Sequence, residues 1–229
     1  MNVSTETVAE HVVRITVPDP AALDRREVAA GEALRDALLA VADDDATKAI
    51  IVAGLAAATS DVPAAGDGEP GEHHCYTGVR GLHQVVTYCK KVVIAEVDGT
   101  CGPTASALCL GADFVLASPD SRFASPFGVP EANFPLAVLT MRANRTKAWM
   151  LRGGLLSSDD ACTAGFVNEV VDGAGLRDAA TTLGRRVALM PLDGLTVSKM
   201  NIGATFDVVG VGRDFDAVEA ATTGLGTRW

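Results

Sequence analysis

The chain has 229 residues, 48% of them hydrophobic and 5% aromatic, and its 29 Asp plus Glu against 19 Lys plus Arg give a net charge of −10. That length can bury one sizeable core, and the acidic balance argues against nucleic acid or an anionic membrane surface as the main partner, since both reward a basic face. No apolar run reaches the roughly 20 residues that span a bilayer, the opening MNVSTETVAEH lacks the basic start and apolar stretch of a secretory signal, and five cysteines without a CxxC spacing predict reduced core thiols. The expectation is a cytoplasmic α/β protein.

In chain order, HVVRITV (11–17) is β-branched and alternating and predicts a strand, which PDP (18–20) stops. Val28, Leu34, Leu38, Leu39 and Val41 recur at helical spacing and predict a helix over 22–42. KAIIVAG (48–54) predicts a strand buried on both faces. The stretch 55–74, rich in Ala, Gly, Pro and acid, predicts a long loop of the functional or mobile kind. A helix resumes through Val79, Leu82, Val85 and Val86, then a buried strand within KKVVIAEVDG (90–99), a helix start in CGPTASALCLGAD (101–113) and a strand in FVLASPD (114–120). An irregular Pro/Phe segment (123–135) precedes a helix around 146–153. SSDDACTAGFV predicts a short helix capped by Ser157 or Ser158, VNEVVD (167–172) a short strand, and the remainder two or more amphipathic helices. Alternating strands and helices imply a largely parallel sheet, with a core domain over 1–172 and a helical region over 173–229.

The chemistry concentrates in KKVVIAEVDGTCGPTASALCLGADFVLASPDSRF (90–123). This is a buried strand, a Gly turn, a helix opening at Pro103 and a second buried strand. Pro suits the first helical position, where its missing N–H would be an orphan. The amides of Thr104 and Ala105 then point out of the positive helix end, an arrangement able to stabilise a developing negative charge.

This run resembles the signature of the crotonase (enoyl-CoA hydratase/isomerase) superfamily, in which an apolar strand leads to Asn-Gly or Asp-Gly, a Gly-rich helix start, and Cys-Asp or Ala-Asp before the next strand. Asp98-Gly99 and Ala112-Asp113 have that spacing. The similarity extends to VVRITVPDP, DATKAIIVAG, RGGLLSSDDACTAGFVNEVV (152–171) and MPLDGLTVSKMNIG (190–203), covering about residues 11–210. It implies an α/β crotonase-like fold of repeated ββα units with C-terminal helices. It also implies an acyl-CoA or acyl-carrier thioester as substrate, no further cofactor, and a homo-oligomer, a trimer or hexamer, without nucleic acid or membrane partners.

The resemblance further implies an oxyanion hole of two backbone amides holding the thioester oxygen of an enolate. Thr104 matches one donor and Val62, beside Asp61, the other. Asp61, Pro103, Phe127 and His74 match positions around the substrate. Two departures bear on the reaction. Pro103, Thr104 and Ala105 stand where hydratases have glycines, and Ala107 stands where they carry a catalytic glutamate. FASPFGVPEANFP aligns either Phe127 or, with a short insertion, Glu131 with the second glutamate, and Glu131 is the candidate acid. Simple hydration needs an acid/base pair, so a decarboxylase, an isomerase, a thioester hydrolase or a non-catalytic binding subunit stands beside it. Ser106 is similar in place to the serine of Clp-type peptidases, but no G-x-S-x-G elbow accompanies it. His73 accompanies His74, His83 is expected on a helix surface, Glu96 lies in a buried strand, and Lys199 resembles a family lysine near the CoA phosphates.

Overall fold

The computed structural model of the chain describes residues 3–25, 27–57, 76–126, 129 and 132–217. The first half contains β1 (Ser4–Ala9), β2 (Val12–Thr16), α1 (Pro20–Asp24), α2 (Val28–Asp43), β3 (Ala49–Ala53), β4 (Ala56–Ala57), α3 (Tyr76–Thr87), β5 (Val92–Val97), β6 (Thr100–Cys101) and α4 (Pro103–Gly111). Then follow β7 (Phe114–Ala117), β8 (Arg122–Ala124), α5 (Phe134–Thr140), α6 (Ala143–Arg152), β9 (Leu155–Ser157), α7 (Ser158–Ala164), β10 (Glu169–Val170), α8 (Gly173–Ala188) and α9 (Leu192–Val208).

Six strands form one sheet in the order β1-β2-β3-β5-β7-β10. All neighbours are parallel except the β1–β2 hairpin. The apolar runs of β3 and β5 are explained by helices on both faces. Ile50, Val52, Val93 and Ala95 pack with Leu34 and Leu38 of α2 and Leu82 of α3. Their alternate neighbours Ala49, Ile51, Val92 and Ile94 pack with Leu176, Ala180 and Val187 of α8. Each fully buried Leu, Ile or Val contributes about 1.5–3 kcal/mol relative to exposure. A second sheet, β4-β6-β8-β9, branches from the first.

The predicted parallel sheet is present, but three expectations need correction. The helix expected over 22–42 is two helices, broken where Arg25 caps α1 and splits its guanidinium between Asp19 Oδ2 (3.0 Å) and Glu27 Oε1 (2.9 Å). That break leaves Asp24 at the last position of α1. The segment 123–135 is not wholly irregular, since Asn133 caps α5 by accepting from the Leu136 amide at 2.9 Å. The stretch 55–74 opens with β4, and its remainder from 58 lies outside the described residues. At α7 the cap is Ser157, whose Oγ accepts from the Asp160 amide at 3.1 Å.

Candidate active site

At the end of β5, Gly99 turns the chain with φ 109°, and a Cβ there would lie 2.8 Å from the Ala57 carbonyl oxygen. Only glycine satisfies both demands. The reversal feeds β6, which pairs antiparallel with β4 through Ala56↔Cys101 and Ala57↔Thr100. Gly102 then caps α4, with Pro103 at its first turn. Every residue of α4 from Pro103 to Leu110 is buried, so small side chains are a packing requirement all round this helix.

Gly102 has no side chain to cap α4, and a distant carboxylate does so instead. Asp24 Oδ1 accepts from the Thr104 amide at 2.8 Å. A Cβ on Gly102 would lie 1.8 Å from Asp24 Oδ2, so the glycine is what admits the carboxylate. Asp24 thus places an anionic oxygen on the first turn of a helix, where free N–H groups and the dipole both favour negative charge. The other side of the same residue is held too: His83 Nε2 lies 3.3 Å from the Thr104 carbonyl oxygen, making that nitrogen the donor. His83 is 2% exposed, a correction to its expected place on a helix surface. Cys101 of β6 and Cys109 of α4 are both buried, and the Cys109 contact together with burial pushes the Cys101 thiol up.

A strand–Gly turn–helix start that presents an amide to an anionic oxygen is what the sequence similarity leads one to expect, and comparison with known proteins decides the family. The enoyl-CoA hydratase/isomerase family model matches residues 7–224. The chain belongs to the enoyl-CoA hydratase/isomerase family. Its fold is the crotonase fold. An enoyl-CoA hydratase from Bacillus anthracis superposes with a TM-score of 0.76 at 21% identity, over 96% of this chain and 90% of that one. An enoyl-CoA hydratase/isomerase family protein from Silicibacter pomeroyi gives 0.75 at 19% identity, over 96% and 97%. In sequence, the chain is 32% identical over 120 residues to the 1,2-epoxyphenylacetyl-CoA isomerase of Escherichia coli, an alignment spanning 50% of this chain and 45% of that protein.

Of the site residues that the family resemblance assigns, the structure locates Thr104 and Pro103 on the first turn of α4. Asp61, Val62, His74, Phe127 and Glu131 lie outside the described residues, as does His73. Ala107, at the position matched to a hydratase glutamate, is buried and packs against Val129 and Ala132. Ser106 is 0% exposed, and its Oγ has no hydrogen-bond partner among the described residues, so no base among them touches it. Glu96 is structural: its carboxylate grips the buried Arg14 guanidinium through two bonds of 2.8 and 2.6 Å. Lys199 is bound to Asp113 and to the Lys91 carbonyl oxygen, the latter at 2.9 Å. Asp113 also accepts from the Val93 amide at 2.7 Å, so the Ala112-Asp113 pair stitches β5 to β7 and anchors α9. No helix among the described residues is long and apolar enough to cross a membrane.

Asp24 is the residue that sequence reasoning missed. It sits 80 positions from Thr104, and nothing local signals that pairing.

Proposed function

We propose that the chain binds an acyl thioester, of CoA or of a carrier protein, and stabilises its enolate on the Thr104 amide. The observation that carries this reading is the Asp24 carboxylate oxygen, 2.8 Å from that amide. A carboxylate oxygen makes the same demand as an enolate oxygen, a negative charge seeking a backbone donor, so Asp24 occupies the place as an internal stand-in. The thioester oxygen takes the amide as the Asp24 side chain rotates away. One such donor is worth about 10²–10³ in rate. Val62 supplies the second amide, with Asp61, Pro103, Phe127 and His74 around the substrate and Glu131 as the acid/base group.

The reaction is an isomerisation or lyase step on the enolate rather than simple hydration, because Ala107 cannot act as an acid or base. The similarity to a CoA-thioester isomerase supports that class. The chain works as a homo-oligomer: Val197, Met200 and Ile202 on α9 are more than half exposed, an apolar face for another copy to cover.

Crotonyl-CoA, 3-enoyl-CoA and malonyl-CoA tested in turn should reveal turnover of at least one, with saturable binding by calorimetry. Absence of both binding and turnover for all three sinks the proposal. A second reading, a non-catalytic thioester-binding subunit, is favoured by the apolar packing of Ala107. It is retained if the thioesters bind without any turnover, and dismissed if Glu131→Gln lowers an observed turnover about a hundredfold or more, the scale of general acid–base catalysis. A turnover that Glu131→Gln leaves unchanged would show only that Glu131 is not the acid.

A further inference from the structure

Residues 132–158 carry four basic side chains and no acidic one, in a chain whose net charge is −10. All four, Arg142, Arg145, Lys147 and Arg152, sit on α6 or cap it, and all are exposed. None forms an ion pair or side-chain hydrogen bond among the described residues. Elsewhere Arg25 is held by Asp19 and Glu27, Lys90 by Asp43 and Arg177 by Glu6, while Arg185, Arg186 and Arg213 are also exposed without an ion pair among the described residues. An acidic chain that gathers four such cations on one helix, with no acid among them over residues 132–158, has a surface complementary to an anion.

The shape of the surface narrows the choice. A cleft of about 500 Å³ runs beside α6. Met141, Arg145, Trp149 and Arg152 face it at helical spacing, with Leu155 and Leu156 of β9 opposite. Asp160, the carboxylate on the lining, is already bound by Ser157 Oγ at 2.8 Å. Leu151 and Leu155 are 66% and 51% exposed beside the cations. From Arg142 to Arg152 the helix rises about 15 Å, further than one phosphate group can bridge. A row of cations of that length, interleaved with exposed leucines, fits a protein surface that offers several carboxylates and apolar side chains.

We propose that α6 and its cleft dock an acidic carrier protein that brings the acyl group as a thioester. This rests on the thioester reading above and names the carrier. The geometry serves delivery. Trp149 Nε1 donates to the Phe123 carbonyl oxygen of β8 at 3.2 Å, and β8 pairs directly with β6, which leads into Gly102. Adjacent strands lie about 4.8 Å apart, so the docking helix is fixed to the sheet that carries the start of α4.

The test is calorimetric titration of the full chain with a type II acyl carrier protein in its phosphopantetheinylated but unacylated form, and separately with crotonyl-CoA. The carrier should bind, and more weakly as salt rises from about 50 to about 300 mM. Arg145→Glu/Arg152→Glu should weaken it about tenfold or more. The control Arg185→Glu/Arg186→Glu makes the same charge change on exposed positions of α8 and should leave carrier affinity as it was. Carrier binding that is absent, or that survives the Arg145/Arg152 reversal, overturns the proposal. So does an equal loss of crotonyl-CoA affinity, which would assign the patch to the CoA phosphates. Because the carrier is unacylated, patch-dependent docking without any thioester turnover would retain the docking and remove the chemistry. Turnover of crotonyl-CoA without docking would do the reverse.

Discussion

Asp24 and the Thr104 amide are in competition with any substrate oxygen that needs the same donor. Asp24→Ala removes the cap of α4, at a cost of about 1 kcal/mol, and clears the amide. The expected outcome is a lower melting temperature together with tighter acyl-CoA binding by calorimetry. Weaker binding in the variant would show instead that Asp24 helps hold the substrate. Tyr88 tests a different bond. Its hydroxyl donates to Asp207 Oδ1 at 2.9 Å, joining the end of α3 to α9. Burial first, then that hydrogen bond and the charge of Asp207, push the Tyr88 phenol up. Because the folded value is the raised one, the contribution is fully present below the unfolded value near 10, and is lost as pH rises from there through the folded value. Melting temperature should therefore fall from about pH 9 to about pH 11, and Tyr88→Phe should flatten the fall.

Elements that declare themselves by an uninterrupted local pattern were legible in the sequence. AIIVA is apolar over its whole length and VVIAEV is apolar but for Glu96, and they became the buried strands β3 and β5. Boundaries set by side-chain pairing were not. The apolar positions resume at Val28 in the same helical period, although DRRE (24–27) interrupts them, and it is the pairing of Arg25 with Asp19 and Glu27 that fixes the end of α1. STETVA carries the alternation of a strand, but it is exposed or half-buried and becomes β1 only by pairing with β2. The two strands meet at His11, which turns with φ 63°. Glu96, an acid in an apolar strand, has its explanation on β2. There Arg14 is 2% exposed, with Nε unpaired among the described residues. Removing one partner of such a pair strands a buried charge, at about 3–5 kcal/mol. Urea unfolding should show Glu96→Ala losing stability on that scale, with Arg14→Met/Glu96→Leu recovering most of it.

For the molecule as a whole, the order of blocks along the chain was enough to imply the crotonase fold, because the spacing of Asp98-Gly99 and Ala112-Asp113 fixes a turn and a strand stitch. The candidate site was legible only at the start of α4, where backbone geometry follows from Gly, Pro and position. The carboxylate that meets it comes from another helix, and no local pattern encodes such a meeting. Assembly is a property at this same scale. If copies of the chain cover α9, light scattering should report a trimer or hexamer, and Met200→Asp, a charge on a side chain 67% exposed, should shift it toward the monomer. Unchanged mass would place the contact elsewhere.

The space above Gly102 is shared, and sharing makes two positions mutually dependent. A serine at 102 collides with the carboxylate at 24, yet serine is among the best N-cap residues when nothing stands in its way. Gly102→Ser should therefore destabilise the chain alone and stabilise it beside Asp24→Ala, a reversal of sign measurable in a double-mutant cycle. Among descendants of a common ancestor, neither replacement would spread readily without the other. The pair at 24 and 102 should change together, so the helix start can pass from a borrowed cap to one of its own.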